Sequence, residues 1–510
     1  MTEKVLVRPN AYYDSATLMS VAQKVKSEQG VDEAVAVMAT EANKELLANV
    51  GMLSQEAGAA TTRDLVLAVR GDSQEAIEAA FQMIEAELAG AKEEIAKEKA
   101  PRSLAEALEQ KPDANLVVIS VAGQFAAREA RKALEAGLNV MLFSDNVPLE
   151  AEIELKTLAA EKGLLMMGPD CGTALIGGAP LAFANVVRRG KIGIVAAAGT
   201  GLQEVSTLIH RLGGGVSHGI GTGGRDVKAS VGGRQLLFGI QALEADSATE
   251  VIVVTGKPPA PDVEVKLLDL IKTCKKPVIV NLLGGDAEAT AAVGATFAPT
   301  LEEAAQLAVQ ATGLSGKLPI VGSGTPHIDF APNQRWLRGL FTGGTLCYEA
   351  QLVLAKKLGP VYSNTPLKPE LAADDFAGSR HIVLDLGDDQ FTSGRPHPMI
   401  EPSIRGEWLT KVAADPEIAV VLMDFVLGYG AHREPVASIA DEIQAAQTQA
   451  AERGGNLMII ASVTGTNEDP QILDRQVAEL EALGVIVLPS NRRAVEQAAL
   501  VLRNLEGRQN

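Results

Sequence analysis

Several residue types that mark particular classes of protein are scarce in this sequence. Its 510 residues include only three cysteines, Cys171, Cys274 and Cys347, and these have neither the spacing of a zinc site nor that of a disulfide framework. Such a scarcity is typical of a reducing compartment, and no metal site is predicted. Aromatic residues make up 4% of the chain, which means that aliphatic side chains must fill most of its core.

Long apolar runs and an excess of positive charge are also missing. No stretch is apolar over the length that a bilayer-spanning helix needs, and the first residues do not resemble a signal peptide. The formal net charge is -18, whereas a protein that binds nucleic acid needs a basic face. The sequence therefore predicts a cytoplasmic protein that contacts neither a membrane nor nucleic acid.

A buried-strand pattern, a glycine-rich turn and a helix follow one another at residues 191–211. The turn is Gly199-Thr200-Gly201. The first N–H groups of a helix are unpaired and the helix dipole favours an anion, so we predict that this turn binds a substrate or phosphate. Glu204, one turn into the helix, is a candidate catalytic residue. Alternatively, its carboxylate only stabilises the N-terminus of the helix.

The same unit recurs in the second half of the chain. Gly343-Gly344-Thr345 follows another strand pattern, and Glu349 again lies five residues after the glycine. Further landmarks recur in the same order, namely two buried strands and then a helix that begins at Pro299-Thr300 or at Pro489-Ser490. We interpret the halves as tandem copies of one flavodoxin-like α/β domain with a parallel sheet, each opening with the same anion-binding turn.

The strand and helix patterns divide the chain into four segments. Residues 1–110 are predicted to form an α+β unit with a linker, in which the charged stretch 91–111 is either a helix extension or, as we expect, a solvated linker. Residues 111–189 alternate β-α-β-α-β, which is typical of a Rossmann-like half domain with a parallel sheet. The first copy is predicted at residues 190–315, the linker at 316–334 and the second copy at 335–510.

Two further glycine-rich segments carry candidate site residues. In the first copy, Gly223-Gly224-Arg225 forms a loop in which the arginine would clamp a phosphate or carboxylate. Arg395 would do the same in the second copy, and for both arginines a surface ion pair is the alternative. His218 and His397 lie in these segments and are candidate catalytic acids or bases, with a structural role as the alternative.

Longer motifs resemble a known family. Gly168-Pro169-Asp170-Cys171 and the strand and turn of the first copy resemble the α subunit of succinyl-CoA synthetase, and residues 384–428 resemble the C-terminal ligase domain of its β subunit. The fusion of the two is similar to the FdrA family over nearly the whole chain, through Asp385-Leu-Gly-Asp-Asp, Gly394-Arg-Pro-His-Pro-Met and Met423-Asp-Phe-Val-Leu-Gly. The resemblance implies two succinyl-CoA-synthetase-type ligase domains that face each other, with a phosphate pocket between helix N-termini.

The resemblance also implies an enzyme subunit that transfers a carbamoyl or acyl group between a phosphate-activated donor and a small carboxylate. Some FdrA-like proteins are implicated in an oxamate carbamoyltransferase of allantoin catabolism that works with companion subunits. Phosphate or carbamoyl phosphate would then be the ligand, no cofactor would be tightly bound, and the chain would join companion subunits and form a homo-oligomer.

The sequence departs from the synthetases at the features that serve ATP and CoA. Gly284-Gly285-Asp286 stands where the synthetases carry a phosphorylated histidine, and neither their CoA-binding glycine loop nor an ATP-grasp module is recognisable. These differences argue against a complete CoA ligase within this chain alone. Two alternatives to carbamoyl transfer stay open, namely an ADP-forming acyl-CoA synthetase and a non-catalytic subunit that senses a ligand or acts as a scaffold.

Overall fold

The computed structural model describes residues 2–13, 15–26, 28, 30–97, 101–318, 329–392 and 395–509. The chain divides into two compact units, one made of Met1–Pro112 with Thr392–Pro396 and one of Asp113–Phe391 with His397–Asn510. Most of the predicted linker (319–328) and the dipeptide 393–394 lie outside the described residues. Within the described ranges, no helix combines the length and the apolar character needed to cross a membrane.

The N-terminal unit contains a three-stranded antiparallel sheet with helices on both faces. Its elements are β1 (Thr2–Arg8), α1 (Ser15–Lys26), β2 (Val31–Met38), α2 (Glu41–Asn49), α3 (Gln55–Ala59), β3 (Leu65–Gly71), α4 (Gln74–Lys97) and α5 (Leu104–Gln110). The strand order is β1-β3-β2. The central strand β3 is buried on both faces, which explains its nearly continuous apolar sequence. The predicted α+β fold of this unit is confirmed.

The charged stretch after this sheet is more helical than expected. Helix α4 continues to Lys97, and α5 begins after Ser103, whose side chain accepts a hydrogen bond from the N–H of Glu106. The expectation of a solvated linker over residues 91–111 is therefore wrong for 91–97 and for α5. Alternating Glu, Lys and Ala residues have high helix propensity, which outweighs the charge that suggested a linker.

The following segment forms a small parallel sheet. Its elements are β4 (Leu116–Ile119), α6 (Gly123–Glu135), β5 (Asn139–Leu142), α7 (Leu149–Lys162) and β6 (Met166–Met167). The strand order is β4-β5-β6 and all the pairs are parallel, as predicted for a Rossmann-like half domain. Helix α6 needs a glycine at its start because a Cβ on Gly123 would lie 2.2 Å from the carbonyl oxygen of Asp145.

The first ligase-type domain has a seven-stranded sheet. Its elements are β7 (Thr173–Ile176), β8 (Ala179–Ala182), β9 (Arg189–Ala196), α8 (Gly199–Arg211), β10 (Val216–Gly221), α9 (Arg234–Ala245), β11 (Val251–Gly256), α10 (Pro261–Ile271), β12 (Val278–Leu282), α11 (Ala287–Ala292), β13 (Thr296–Phe297) and α12 (Leu301–Ala311). The order is β13-β12-β11-β9-β10-β7-β8. The hairpin β7-β8 joins β10 antiparallel, and the sheet thus includes residues upstream of the predicted start at 190.

The second ligase-type domain has a six-stranded parallel sheet. Its elements are β14 (Trp336–Phe341), α13 (Gly344–Leu358), β15 (Val361–Tyr362), β16 (His381–Asp385), α14 (Asp389–Thr392), α15 (Ser403–Ala414), β17 (Ile418–Val426), α16 (Ala440–Glu452), β18 (Met458–Thr464), α17 (Leu473–Ala482), β19 (Ile486–Leu488) and α18 (Asn491–Gln509). Two short 3-10 helices occupy Pro369–Leu371 and Ala437–Ile439. The strand order is β15-β16-β14-β17-β18-β19.

The two sheets share one topology, which confirms the tandem α/β fold. The order β10-β9-β11-β12-β13 in the first domain corresponds to β16-β14-β17-β18-β19 in the second, and both are the flavodoxin-like 2-1-3-4-5 order. Strand β15 is an addition to the second sheet. Helices α8 and α12 of the first domain and α13 and α18 of the second share one hydrophobic core, in which small residues such as Ala305, Ala350 and Ala498 let the helices approach closely.

Candidate functional site

The two predicted turns lie against each other in the structure. Each follows the strand at the centre of its parallel sheet and begins a helix, α8 at Gly199 and α13 at Gly344. A Cβ atom on Gly201 would lie 3.0 Å from Cγ2 of Thr345, and a Cβ on Gly343 would lie 3.0 Å from Cβ of Thr200. The glycines thus allow two helix N-termini to meet, with their positive dipole ends next to each other.

The meeting helix ends carry polar groups that suit an anion. No side chain caps either helix among the described residues, and the first N–H groups of each helix point out of its end. Thr345 is 1% exposed, and its Oγ1 has no hydrogen-bond partner in the described part of the chain. Buried hydroxyl groups normally have partners, and this one lies where the two helix ends meet.

A lysine that the sequence did not single out lies beside the turns. Lys257 directly follows β11, and a Cβ on the preceding Gly256 would lie 3.4 Å from Cβ of Ala197 in the first turn. The Lys257 Nζ lies 5.2 Å from the ring centroid of Tyr348, on the first turns of α13. The side chain therefore reaches from the first domain to the second. The sequence signal that could have identified Lys257 as a site residue was its position at the carboxyl end of a parallel strand.

Two aspartates organise the start of α13. The buried Asp424 of β17 accepts hydrogen bonds from the N–H groups of Thr342 (2.7 Å) and Gly343 (2.8 Å), which orders the second turn. Asp385 ends β16, and its Oδ2 would lie 2.5 Å from a Cβ on Gly344. Burial raises the pKa of Asp385 to about 7, against the opposing charge of Lys257. A carboxyl that can hold a proton near neutral pH therefore adjoins the helix end.

The two glutamates of the repeated unit each bind the other domain. Glu204 on α8 accepts hydrogen bonds from the Thr464 hydroxyl (2.5 Å) and from the N–H of Asn491 (3.1 Å), the first residue of α18. Glu349 on α13 accepts from the N–H of Leu301 (2.8 Å), the first residue of α12, and from the Asn491 side chain (2.8 Å). Each carboxylate thus caps the last helix of the opposite domain.

These contacts give Glu204 a structural role at the N-terminus of α18 and not, as the alternative had it, at the N-terminus of its own helix, and its predicted catalytic role stays a prediction. Both of its oxygens accept hydrogen bonds, and the side chain is buried. Burial raises the pKa of Glu204, although its hydrogen bonds oppose the rise, and burial raises the pKa of Glu349 to about 7. The sequence could not show this role, because the partners of Glu204 follow it by more than two hundred residues.

The Gly223-Gly224-Arg225 loop is held in place by a buried charge network. Nε of Arg225 lies 2.7 Å from Oε2 of Glu152, and a terminal N–H group donates to the carbonyl oxygen of Val147. The buried Lys156 pairs with Glu152 and Asp226, both at 2.9 Å. Arg225, predicted as an anion clamp, is thus already engaged in an ion pair, which was the alternative for this residue. Its side chain remains 40% exposed.

The two candidate histidines lie in different environments. His218 is on β10, where Nδ1 accepts from the N–H of Gly177 (3.1 Å) and Nε2 lies 3.7 Å from Asp246, which precedes β11. It therefore lies toward the opposite end of the sheet from the turn, and its candidate role as a catalytic acid or base stays a prediction. His397 is closer to the turns. Its Nε2 would lie 2.4 Å from a Cβ on Gly387, and the same Cβ would lie 2.7 Å from the carbonyl oxygen of Thr342, which precedes the second turn.

His397 is nevertheless a poor proton carrier at neutral pH. Its Nδ1 accepts a hydrogen bond from the N–H of Met399, and burial lowers its pKa to about 4. Arg395 belongs to the segment Thr392–Pro396, which groups with the N-terminal unit. Its predicted role as an anion clamp, like a catalytic role for His397, stays a prediction.

Two family models match parts of the chain. Residues 340–501 match the family described as CoA-ligase, and residues 1–105 match the one described as "AllF, heavy metal-associated domain". Residues 1–105 contain neither cysteine nor histidine, the ligands that soft and borderline metals prefer. Among the described residues, no group of three His, Cys, Asp or Glu side chains could hold a metal ion.

The curated relatives include one similar over the full length and several similar over part of it. The uncharacterized protein YahF of Escherichia coli K12 is 46% identical over 501 residues, 96% of this chain and 97% of YahF. A succinate–CoA ligase [ADP-forming] subunit alpha 2 of Archaeoglobus fulgidus is 28% identical, over 34% of this chain and 60% of its own. An ADP-forming sulfoacetate–CoA ligase subunit of Bilophila wadsworthia is 26% identical, over 28% and 50% respectively. The chain therefore belongs to the family of Escherichia coli YahF, and its residues 340–501 form a domain of the CoA-ligase type.

Proposed function

We propose that this chain is a subunit of an enzyme of the ADP-forming acyl-CoA ligase type and binds a phosphoryl anion between the N-termini of α8 and α13. The observation that carries the proposal is the contact between Gly201 and Thr345, which brings two helix ends together. Within the described ranges, neither end has a side-chain cap and the buried hydroxyl of Thr345 has no partner. Helix N-termini bind phosphate through their unpaired N–H groups and their dipoles. Lys257 adds positive charge next to them.

The partial relatives support the acyl-CoA ligase class. Their names describe ADP-forming ligases of succinate and of sulfoacetate, both small carboxylates. The substrate that we propose for this chain is likewise a small carboxylate, activated as an acyl phosphate. Because these relatives are named as subunits of ADP-forming ligases, we propose that companion subunits supply nucleotide binding. Membership of the FdrA group, and assembly as a homo-oligomer, are parts of the same proposal.

The chemistry of an acyl phosphate fits this arrangement. When a nucleophile attacks its carbonyl carbon, the bond from that carbon to the bridging oxygen breaks and phosphate leaves with the electron pair. Fixed dipoles and a cation at the leaving phosphate stabilise the charge that develops there, and they need little reorganisation during the reaction. Two helix ends with Lys257 would provide such dipoles and charge. In this proposal Asp424 acts indirectly, by ordering the turn that begins α13.

Carbamoyl transfer is a second candidate, favoured by one observation. The loop after β12 is Gly284-Gly285-Asp286, and Asp286 caps α11 with its side chain. A Cβ on Gly284 would lie 3.6 Å from Leu352 of α13, so the loop approaches the second domain without a histidine that could carry phosphate. Transfer from carbamoyl phosphate to a carboxylate such as oxamate needs an anion site but no phosphohistidine. The comparisons favour the ligase class over this candidate.

Ligand-dependent thermal stability of the purified chain tests these proposals. A ligand that binds only the folded state raises the melting midpoint, and phosphate, carbamoyl phosphate, oxamate, CoA and ATP are compared at matched ionic strength. We expect a rise with phosphate. A further rise with CoA supports the acyl-CoA ligase, whereas a larger rise with carbamoyl phosphate than with phosphate supports carbamoyl transfer.

The remaining outcomes bear on the anion site itself. If no phosphate compound raises the midpoint, the proposed site is wrong. Binding of phosphate without turnover, even after companion subunits are added, would instead support a subunit that senses a ligand or acts as a scaffold.

A further inference from the structure

Two residues of opposite charge approach the start of α13 from the two domains. Lys257 approaches from the first domain and lies over Tyr348 of α13. Asp385 approaches from the second domain and lies against Gly344, the first residue of the same helix. The charge of Lys257 is the largest electrostatic influence on Asp385. The positive charge of Lys257 therefore acts on Asp385 across the domain contact and favours its ionised form.

An anion at the helix ends would disturb this balance. It would lie next to Gly344 and Thr345 and hence close to the carboxylate of Asp385. Two negative charges a few ångströms apart in a buried site repel each other strongly, because little water screens them. Lys257 cannot neutralise both charges at once. Either Asp385 takes up a proton or the anion binds poorly.

We propose that Lys257 is the cation of this anion site and that Asp385 takes up a proton from solvent as the anion binds. The protonated carboxyl then donates a hydrogen bond to an oxygen of the ligand. The favoured ligand is consequently an oxyanion with several acceptor oxygens, such as a phosphoryl group. This inference rests on the proposed anion site and describes how the charges there are balanced. One proton enters with the ligand and neutralises Asp385. Lys257 then has the ligand, in place of Asp385, as its counter-ion.

The surroundings of Asp385 make this proton uptake feasible. Its neighbours are Lys257 after β11, Asp388 on its own loop, Asp424 on β17 and Cys347 on α13. Burial and the two aspartates favour the protonated carboxyl, and Lys257 and the N–H of Gly387 favour the charged one. The resulting pKa of about 7 means that protonation near neutral pH costs little free energy.

Isothermal titration calorimetry with inorganic phosphate tests the proposal. The titration is repeated in two buffers that differ in ionisation enthalpy, which gives the number of protons taken up. The variants are Lys257→Met, which keeps the chain over Tyr348 but removes the charge, Asp385→Asn, and Lys272→Met as an exposed control. We expect Lys257→Met to weaken phosphate binding about tenfold or more relative to Lys272→Met, because a charge-assisted contact is lost.

The proton count distinguishes Asp385 from phosphate, which titrates in the same range. Protons gained or lost by phosphate are common to the wild type and Asp385→Asn. The difference between the two proteins therefore reports Asp385, and we expect the wild type to take up as much as one proton more. If Asp385→Asn does not fold, the test is the pH dependence of phosphate affinity in the wild type. If Asp385 must take up a proton, phosphate should bind more weakly as the pH rises above 7. If only the ionisation of phosphate matters, binding should become tighter, because the dianion predominates.

Failure of this inference is separable from failure of the proposed function. If the wild type binds phosphate, Lys257→Met binds as tightly as the control, and proton uptake equals that of Asp385→Asn, then the roles of Lys257 and Asp385 are refuted while the anion site stands. If Asp385→Asn cannot be used, tighter binding of phosphate to the wild type with rising pH likewise overturns the role of Asp385. If the wild type does not bind phosphate, the site and this inference fail together.

Discussion

The buried carboxyl of Glu349 should make the stability of the ligase domains depend on pH. Burial raises its pKa in the folded protein from an ordinary value of 4.5 to about 7, a difference worth about 3 kcal/mol. Because the folded state binds this proton more tightly than the unfolded state, the penalty is absent below about pH 4.5. It grows as the pH rises and is complete above about pH 7. Between about pH 5 and about pH 8, Glu349 should cost about 2.5 kcal/mol.

Replacement of Glu349 by glutamine isolates this effect. Glutamine resembles the protonated acid in charge and shape, and it keeps an acceptor for the N–H of Leu301. Its added donor faces the Nδ2 group of Asn491, which is itself a donor, and the cost of this contact is the same at every pH. The variant should lose the pH-dependent penalty, whereas the exposed Glu288→Gln should keep it.

Thermal midpoints measured across this pH range provide the assay. Other buried acids with raised pKa values, such as Asp385, also weaken the wild type as the pH rises, so the comparison is between variants at each pH. The midpoint of Glu349→Gln relative to Glu288→Gln should increase by roughly 3 °C from pH 5 to pH 8, for a cooperative unit of a few hundred residues. Parallel profiles for the two variants would refute the reasoning.

Three further predictions concern other buried positions. Lys156→Met should cost about 3–5 kcal/mol in urea denaturation, because it leaves the buried carboxylate of Asp226 without its cation and leaves Glu152 with Arg225 alone. A loss no larger than that of the exposed Lys162→Met would contradict this. Gly344→Val should abolish stabilisation by phosphate, because its side chain would displace Asp385, and retained stabilisation with a native circular dichroism spectrum would disprove the site. The ring of His397 should stay neutral in NMR titrations from about pH 8 to about pH 5, since burial lowers its pKa to about 4, whereas titration near 6.5 would contradict its burial.

The sequence predicted features that depend on local patterns and on repetition. The strand, turn and helix at Gly199 and at Gly344 recur with the same following elements, and the two sheets have the same central strand order. The contact between the turns followed from the family resemblance. Glycine at these positions has a physical reason, because side chains at Gly201 and Gly343 would press on Thr345 and Thr200.

The sequence failed where a role depends on distant partners. Glu204 was a candidate catalytic residue because it follows a predicted anion-binding turn. In the structure it accepts hydrogen bonds from Thr464 and Asn491, which come more than two hundred residues later in the sequence. Arg225 looked like an anion clamp, but Glu152, on a helix in the preceding segment, already pairs with it. Lys257 was overlooked because a single lysine after a strand is common, and only the fold brings it to the second domain.

The most direct test of the central claim is the position of a bound oxyanion. Crystals of the full chain can be soaked in tungstate, a phosphate analogue whose metal gives a strong anomalous signal. The account predicts a peak between the N-termini of α8 and α13, within contact distance of Thr200, Thr345 and Lys257, and loss of that peak in Gly344→Val crystals. Tungstate bound only elsewhere, or a peak at the turns that persists unchanged in the variant, would contradict the claim that the paired turns form the site.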